Sequence, residues 1–313
     1  MTPPRDAIAA ATHADPYPYY ADLVARRPLY RDDALGLWVA TSADAVTGVL
    51  ASESCRVRPL SEPVPQAIAH GAAGRVFRHM IRMNEGAAHC RFKPAMTAAL
   101  GAFDPIAIDR VAAASARLLA EPIGSASEPR LVTDFAFQLS VHVVTGLLGV
   151  PLSERAQTTQ WARDVVRSFA PGCDPERAER GHRAAASLFE LFRVLLDAQR
   201  AAGGELLSGI AREAERVGVV DAEWVIANAI GLFFQIYDGT AGAIGNSLLL
   251  LAANREARDA LARESALLRP LVREVVRWNA PIQSTRRFVA RREAVLGVAF
   301  GTRITLPSAL ATQ

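Results

Sequence analysis

The chain has 313 residues, half of them hydrophobic and 21% charged, which suits one large globular domain or two ordinary ones. A formal net charge of +3 is too small to indicate a nucleic-acid partner. The three cysteines, Cys55, Cys90 and Cys173, lie far apart without metal-ligand spacing, which argues against disulfides and zinc. The N-terminal stretch has no apolar signal segment, so we expect a cytoplasmic protein.

The N-terminal part of the chain combines short helices with a hairpin. DPYPYYADLVARRP predicts a turn and then an amphipathic helix, and PLYRDDALGLWVATS predicts two strands around a tight turn. SADAVTGVLAS predicts a short helix with Ser42 or Asp44 as its N-cap. Residues 59–78 hold three prolines and two glycines, so we expect an irregular loop there.

The middle of the chain is helical. Apolar periodicity predicts helices at 97–120, 131–149, 153–169 and 176–201. Glycine and proline mark their boundaries, at Gly124, Pro151, Pro171-Gly172 and Gly203-Gly204.

A long apolar run extends from Trp224 to Ala253, and its only charged residue is Asp238. The run is long enough to cross a bilayer. Polar residues are spread through it, however, and arginine-rich amphipathic segments lie on both sides, which favours a helix buried in a water-soluble protein and no membrane contact. A buried carboxylate is costly unless it is partnered or neutral, so Asp238 needs a specific role.

The C-terminal part predicts further helices in REARDALARE and ALLRPLVREVVRW, followed by two short strands around a turn in RRFVARREAVLGVAFGTRITLP. No internal repeat and no low-complexity linker interrupts the chain. We therefore predict a mainly α protein with a small β-sheet, folded as a single domain over residues 1–313.

Three groups of charged residues are candidates for sites. Glu274 and Arg277 lie three apart on one helix face, as either a surface ion pair or part of a site. His89 and Lys93 lie four apart, which suits either an anion site or a solvated basic turn. Arg287 and its neighbour Arg286 lie on a predicted strand, where alternation sends their side chains to opposite faces.

Taken in order, these segments resemble the bacterial cytochrome P450 family over nearly the whole chain. The N-terminal helix, hairpin and following helix resemble the start of that fold, and NEGAAHCRFKPAMTAAL resembles its C helix. FFQIYDGTAGAIGNSLLLLA is similar to the central I helix. Glu274-Val275-Val276-Arg277 matches the Glu-x-x-Arg of the K helix, and PIQSTRRFVARREAVLG resembles the strands after it. The resemblance implies a cytochrome P450-like fold that is incomplete at the C-terminus.

The resemblance gives Asp238 a role, because the family's I helix carries an acid and an alcohol that relay protons to bound oxygen. Asp238 matches the acid, Gly239 occupies the usual threonine place, and the hydroxyl follows at Thr240. One step along a helix turns a side chain by about 100°, so Thr240 is not a simple substitute. The family's small Ala-Gly pair, which opens the oxygen groove, is replaced by the bulkier Gln235-Ile236.

The resemblance also implies haem b as the family cofactor, with its propionates held by His89, Lys93 and Arg287. Lys93 keeps the charge of the family arginine without its planar fork, and Pro94 after it is expected to kink or restart the helix. Glu274 and Arg277 are implied to form a buried structural network.

The family's haem-ligating cysteine loop is absent from this sequence, and the three cysteines lie at other positions. We therefore expect weak or no haem binding. One interpretation is a truncated haem monooxygenase whose parent hydroxylates a small organic substrate with a ferredoxin-type redox partner. Another is a haem-free helper protein that binds a glycosyltransferase or other biosynthetic enzyme, and a third is a haem-free enzyme with a non-redox reaction. Whether this chain is itself an enzyme stays open at this point.

Overall fold

The computed structural model describes residues 2–123, 128–170, 172–202, 206–291, 293–295, 298–300 and 303–306. Their α-helices are α1 (Ala7–Ala10), α2 (Tyr17–Arg26), α3 (Ala43–Ala51), α4 (Ala72–His79), α5 (Gly86–Gly101), α6 (Pro105–Ala120), α7 (Pro129–Leu147), α8 (Leu152–Ser168), α9 (Pro175–Ala202), α10 (Leu206–Arg216), α11 (Ala222–Ala253), α12 (Arg255–Arg263) and α13 (Leu268–Trp278). Their strands are β1 (Leu29–Asp32), β2 (Leu37–Ala40), β3 (Cys55–Arg56), β4 (Thr285–Val289), β5 (Glu293–Val295), β6 (Val298–Phe300) and β7 (Arg303–Leu306).

The chain divides into two compact units, one of residues 1–61 with 242–313 and one of residues 62–241. The prediction of a single domain over 1–313 stays a prediction. The mainly helical fold class is confirmed, because most of the described chain is helical and its sheets are small.

The first unit contains a five-stranded sheet in the order β1-β2-β7-β4-β3. The predicted hairpin is confirmed, since β1 pairs antiparallel with β2 from Leu29 opposite Ala40 to Asp32 opposite Leu37. Strand β7 pairs parallel with β2 and antiparallel with β4, and so joins the two ends of the chain. Helix α3 packs on this sheet, and its N-cap is Ser42, whose hydroxyl accepts a hydrogen bond from the backbone N–H of Ala45 at 3.2 Å.

The second unit is built around one large apolar core contributed by α4, α5 and α7–α11. Helices α8 and α9 form a helical hairpin, and Leu188, Phe192 and Leu196 of α9 are fully buried. From α11, Ile230 and Phe233 are buried in the same core. The Phe233 ring stacks on Phe192 with ring centroids 6.0 Å apart.

The prediction of an irregular loop over 59–78 is wrong in its second half, where α4 runs from Ala72 to His79. Val76 and Phe77 of α4 are buried in the core, and the Ala73 backbone N–H donates a hydrogen bond to His182 Nδ1 at 3.3 Å. These partners are remote in sequence, so tertiary packing overrides the loop signal of the glycines and prolines.

Four further features of the described chain differ from the sequence predictions. The helix expected over 97–120 is two helices, because Asp104 caps α6 and Pro105 starts it. Helix α5 does not restart at Pro94, which lies inside it. Helix α10 was not predicted, and the two strands expected at the C-terminus are four, β4 to β7.

Among the described residues, no individual helix is both long and apolar enough to cross a membrane; only the pair Arg130–Leu147 and Leu152–Ser168, bent by 120°, meets those criteria together.

Candidate functional site

Helix α11 carries the predicted acid-alcohol region without a break. Thr240 is exposed and Gly239 is half-buried, whereas the side chains of Tyr237 and Asp238 lie outside the described part of the structure. Ile236 packs against the core of the second unit, and Gln235 is exposed. A proton-relay role for Asp238 and Thr240 therefore stays a prediction.

The buried side chain of Asn228, which no sequence motif indicates, links the segment before α5 to α11 by hydrogen bonds. Asn228 accepts a hydrogen bond from the Ile81 backbone N–H at 2.9 Å and donates one to the carbonyl oxygen of His79 at 3.0 Å. Its side-chain amide also donates to the Trp224 carbonyl oxygen at 2.9 Å. Because Asn228 is only 3% exposed, these bonds fix residues 79–81 on the helix with little competition from water.

The same segment places the guanidinium group of Arg82 beside α11. The Arg82 guanidinium lies 5.3 Å from the centre of the Phe234 ring, at cation–π distance. Phe234 stands four residues before Asp238, so the two positions share one face of the helix. No motif in the sequence points to Arg82.

The predicted propionate ligands His89 and Lys93 lie one turn apart on α5, and Lys93 is exposed. Between them, Arg91 is already engaged, since its Nε donates to the Val217 carbonyl oxygen at 2.9 Å and its Nη2 to that of Gly218 at 3.4 Å. His89 and Lys93 remain candidates for an anion, and their assignment to haem stays a prediction.

Arg287 lies on β4, in the first unit. Arg286 is exposed and Arg287 is half-buried, in agreement with the predicted alternation of the two side chains. The Arg287 Nη1 donates to the Arg286 carbonyl oxygen at 2.8 Å and to Thr285 Oγ1 at 3.3 Å. Its grouping with His89 and Lys93 is not tested by these contacts.

Glu274 and Arg277 form a bidentate ion pair on α13, with Nε–Oε2 at 2.9 Å and Nη2–Oε1 at 2.7 Å. The expected burial is wrong, because the side chains are 55% and 48% exposed. The hydrogen bond from Arg277 lowers the pKa of Glu274, and the same bond raises the pKa of Arg277. In the described structure this is a surface ion pair, as its spacing alone suggested.

The three cysteines lie at unrelated places. Cys55 is buried on β3, Cys90 is exposed on α5, and Cys173 lies in the turn between α8 and α9. The pKa of the Cys173 thiol is raised by burial and by the neighbouring Asp174, which disfavours its thiolate. Within the described residues, no cluster of three or more His, Cys, Asp or Glu side chains is arranged to hold a metal ion.

Comparison with known proteins identifies the fold. No protein-family model matches the chain. The biotin biosynthesis cytochrome P450 of Bacillus subtilis is 24% identical over 293 residues, which cover 91% of this chain and 72% of that protein. The cytochrome P450 monooxygenase PikC of Streptomyces venezuelae is 27% identical over 286 residues, covering 88% of this chain and 65% of that protein. The 6-deoxyerythronolide B hydroxylase of Saccharopolyspora erythraea is 29% identical over 192 residues, covering 61% and 46%.

Solved structures agree with these relatives. The crystal structure of CalO2 matches 100% of this chain and 78% of its own, with a TM-score of 0.81 and 25% identity. P450BioI, solved in complex with an acyl carrier protein that bears hexadec-9Z-enoic acid, matches 95% of this chain and 78% of its own, with a TM-score of 0.74 and 22% identity. The fold is therefore that of a cytochrome P450. This chain is a homologue of the bacterial cytochromes P450, and it spans about three quarters of the matched structures.

Proposed function

We propose that this chain forms the substrate-binding part of a cytoplasmic haem-dependent monooxygenase. The enzyme hydroxylates a small organic substrate with electrons from a ferredoxin-type partner. The observation that carries the proposal is the match of the whole chain to the P450 fold at a TM-score of 0.81. The hydroxylases and monooxygenases among its relatives support the reaction class.

The residues of this chain fit haem only in part. His89 and Lys93 are spaced to hold carboxylate groups, and Arg287 is a third candidate cation. Haem with a thiolate ligand supplies oxygen activation when it is bound. None of the three cysteines is placed as that ligand: Cys55 is buried in a sheet, Cys90 follows His89 on the exposed side of α5, and the pKa of Cys173 is raised. We therefore propose that the chain alone binds haem weakly and does not hydroxylate.

A carbon-monoxide difference spectrum of the reduced protein tests this proposal. The chain is expected to give no thiolate-type band after incubation with haem, whereas the complete Bacillus subtilis relative, treated in the same way, gives one. A stoichiometric thiolate-type band from the 313-residue chain would overturn the proposed lack of activity.

A second role, as a haem-free helper that binds a glycosyltransferase or other biosynthetic enzyme, is favoured by one observation. The first unit exposes large apolar side chains from the end of α11 to α13, with Leu249 66%, Leu268 52% and Trp278 61% exposed. Such exposure is typical of protein contact surfaces. Size-exclusion chromatography with a purified candidate glycosyltransferase tests this role, and two proteins that elute at their separate volumes at micromolar concentration contradict it for that enzyme.

A further inference from the structure

The second unit contains a cleft of about 360 Å³ where the end of α5 and the start of α6 meet α7 and α10. This volume lies within the range of sites that bind small organic molecules. Its apolar lining includes Phe103 of the loop between α5 and α6, Leu147 of α7 and Leu206 of α10. Neither His89 nor Lys93 is among the described residues that line it, so the predicted haem-propionate site lies elsewhere.

The walls of this cleft are packed against one another. A Cβ atom added to Gly146 of α7 would lie only 2.7 Å from Val111 Cγ1 of α6, so the two helices are in close contact. Ala99 of α5 and Leu206 of α10 are buried, which ties the other two walls to the core of the unit. Walls that are in place before a ligand arrives reduce the entropy lost on binding.

One cation lines the cleft without a protein partner. Arg212 is exposed on α10, and it forms no hydrogen bond and no ion pair with another described residue. Its Nη2 lies 3.9 Å from the place of a Cβ at Gly209, so the side chain folds back along α10 over this glycine of the lining. The neighbouring Glu213 is already engaged, because it accepts hydrogen bonds from Arg216 Nη1 at 2.9 and 3.1 Å. The positive charge of Arg212 is therefore available to a ligand.

Another part of the lining is negative. Asp104 is exposed between α5 and α6, and its Oδ1 accepts a hydrogen bond from the Ile106 backbone N–H at 2.9 Å. Within the described part of the chain no cation pairs with Asp104, so its Oδ2 is open to a ligand. Helices α5 and α7 also end beside the cleft, at Ala102 and Leu147, and the C-terminus of a helix carries partial negative charge.

Arg212 and Asp104 line the same cleft but do not pair with each other. An unpaired cation and an unpaired anion beside an apolar wall match a small ligand that carries both charges and an apolar group. We propose that this cleft binds a free apolar amino acid. Arg212 binds the carboxylate, Asp104 binds the ammonium group, and the apolar side chain packs on Phe103. The inference does not rest on the proposed monooxygenase reaction.

Isothermal titration calorimetry of the purified 313-residue chain tests this site with three probes at about pH 7. L-Phenylalanine carries both charges at this pH, 3-phenylpropanoic acid lacks the ammonium group, and 2-phenylethylamine lacks the carboxylate. Because hydrogen bonds to charged groups are stronger than neutral ones, L-phenylalanine is expected to bind at least about tenfold more tightly than either analogue. No binding of any probe, or equally tight binding of either analogue, would overturn the proposal.

Two variants exchange the preferences in opposite directions. Arg212→Gln should bring L-phenylalanine and 2-phenylethylamine within about twofold of each other, while the advantage over 3-phenylpropanoic acid remains. Asp104→Asn should do the reverse, and asparagine keeps the N-cap of α6. A merely structural role of these residues would not produce this exchange, so equal losses for all three probes would overturn the assignment.

The matched controls are Arg110→Gln and Asp109→Asn, since both residues are exposed on α6 and neither is among the described residues of the lining. Both controls should keep the parent's ratios, and the same changes in them would mean general surface charge and would overturn the site. Ala102 is exposed at the cleft, so Ala102→Phe should fold, fill the cleft and abolish measurable binding.

Ala102→Phe also keeps the test decisive if a charge variant unfolds. If Arg212→Gln or Asp104→Asn melts well below the parent, unchanged binding of L-phenylalanine by Ala102→Phe overturns the site, and its loss supports the site. None of these measurements uses haem, so a failure of the haem spectrum and a failure of amino-acid binding are read separately.

Discussion

Replacing Asn228 with alanine is expected to destabilise the chain by about 3–4 kcal/mol. The variant loses the hydrogen bonds to the Ile81 N–H and the His79 carbonyl oxygen, at 2.9 and 3.0 Å, each contributing about 1 kcal/mol. It also leaves the partly buried Ile81 N–H unpaired, which costs about 1–2 kcal/mol more. The third bond, to the Trp224 carbonyl oxygen, lies within α11 and adds little, because that oxygen can keep its helical partner.

Urea denaturation followed by far-UV circular dichroism measures this loss. The matched control is Asn246→Ala, which removes an asparagine from the same helix that makes a single bond, to the Asn279 carbonyl oxygen at 2.7 Å. The control should lose no more than about 1 kcal/mol, and both variants should keep the parent's denaturant slope. Equal losses in the two variants, or a loss below about 1 kcal/mol for Asn228→Ala, would refute the reasoning that these bonds anchor the segment before α5.

Three further predictions follow from particular contacts. Gly74→Ala should lower the free energy of unfolding by more than about 2 kcal/mol, because the added Cβ would overlap the backbone carbonyl oxygen of Ile68. Gly245 has open space around it, so Gly245→Ala should raise the free energy of unfolding by up to about 1 kcal/mol. Chemical denaturation of the two variants compares these effects. Arg277→Ala should shift the thermal midpoint by less than about two degrees, since its ion pair with Glu274 is half exposed, and a larger drop would indicate a buried network. Burial, and then the nearby Arg155, lower the pKa of His142, so the unfolded chain binds a proton at this histidine more readily than the folded chain does. The free energy of unfolding should therefore be constant above about pH 6.5 and decrease below it. In urea titrations at several pH values, His142→Gln should make this decrease smaller.

Local patterns in the sequence determined many of the elements. The apolar run from Trp224 to Ala253 predicts α11, and the DDALG turn predicts the β1–β2 hairpin. Two candidate caps, Ser42 and Asp44, predict the start of α3, and the structure uses Ser42. Each of these signals lies within one or two turns of the residues that it orders, so it can be found without knowing the rest of the fold. The order of the P450-like segments in the sequence likewise indicated the family that the comparisons confirm.

The candidate site depended much more on tertiary structure. The sequence indicated Asp238, as the only charge in an apolar run, and His89 and Lys93, by their spacing of four. It gave no sign of Arg82 or of Asn228, which contact residues far away in the sequence. A cation over a ring has no sequence period. It arises only when two segments pack together.

Burial and long-range pairing were also decided by the tertiary structure. Helix α4 forms in a stretch rich in turn residues because His182 accepts a hydrogen bond from its first turn and the core buries Phe77. The Glu274–Arg277 pair has the same spacing whether it is buried or exposed, and only the packing around α13 leaves it half exposed. Strand β7 pairs in parallel with β2, from the opposite end of the chain. No local pattern specifies this partner, because the pairing of two remote strands depends on how the core packs.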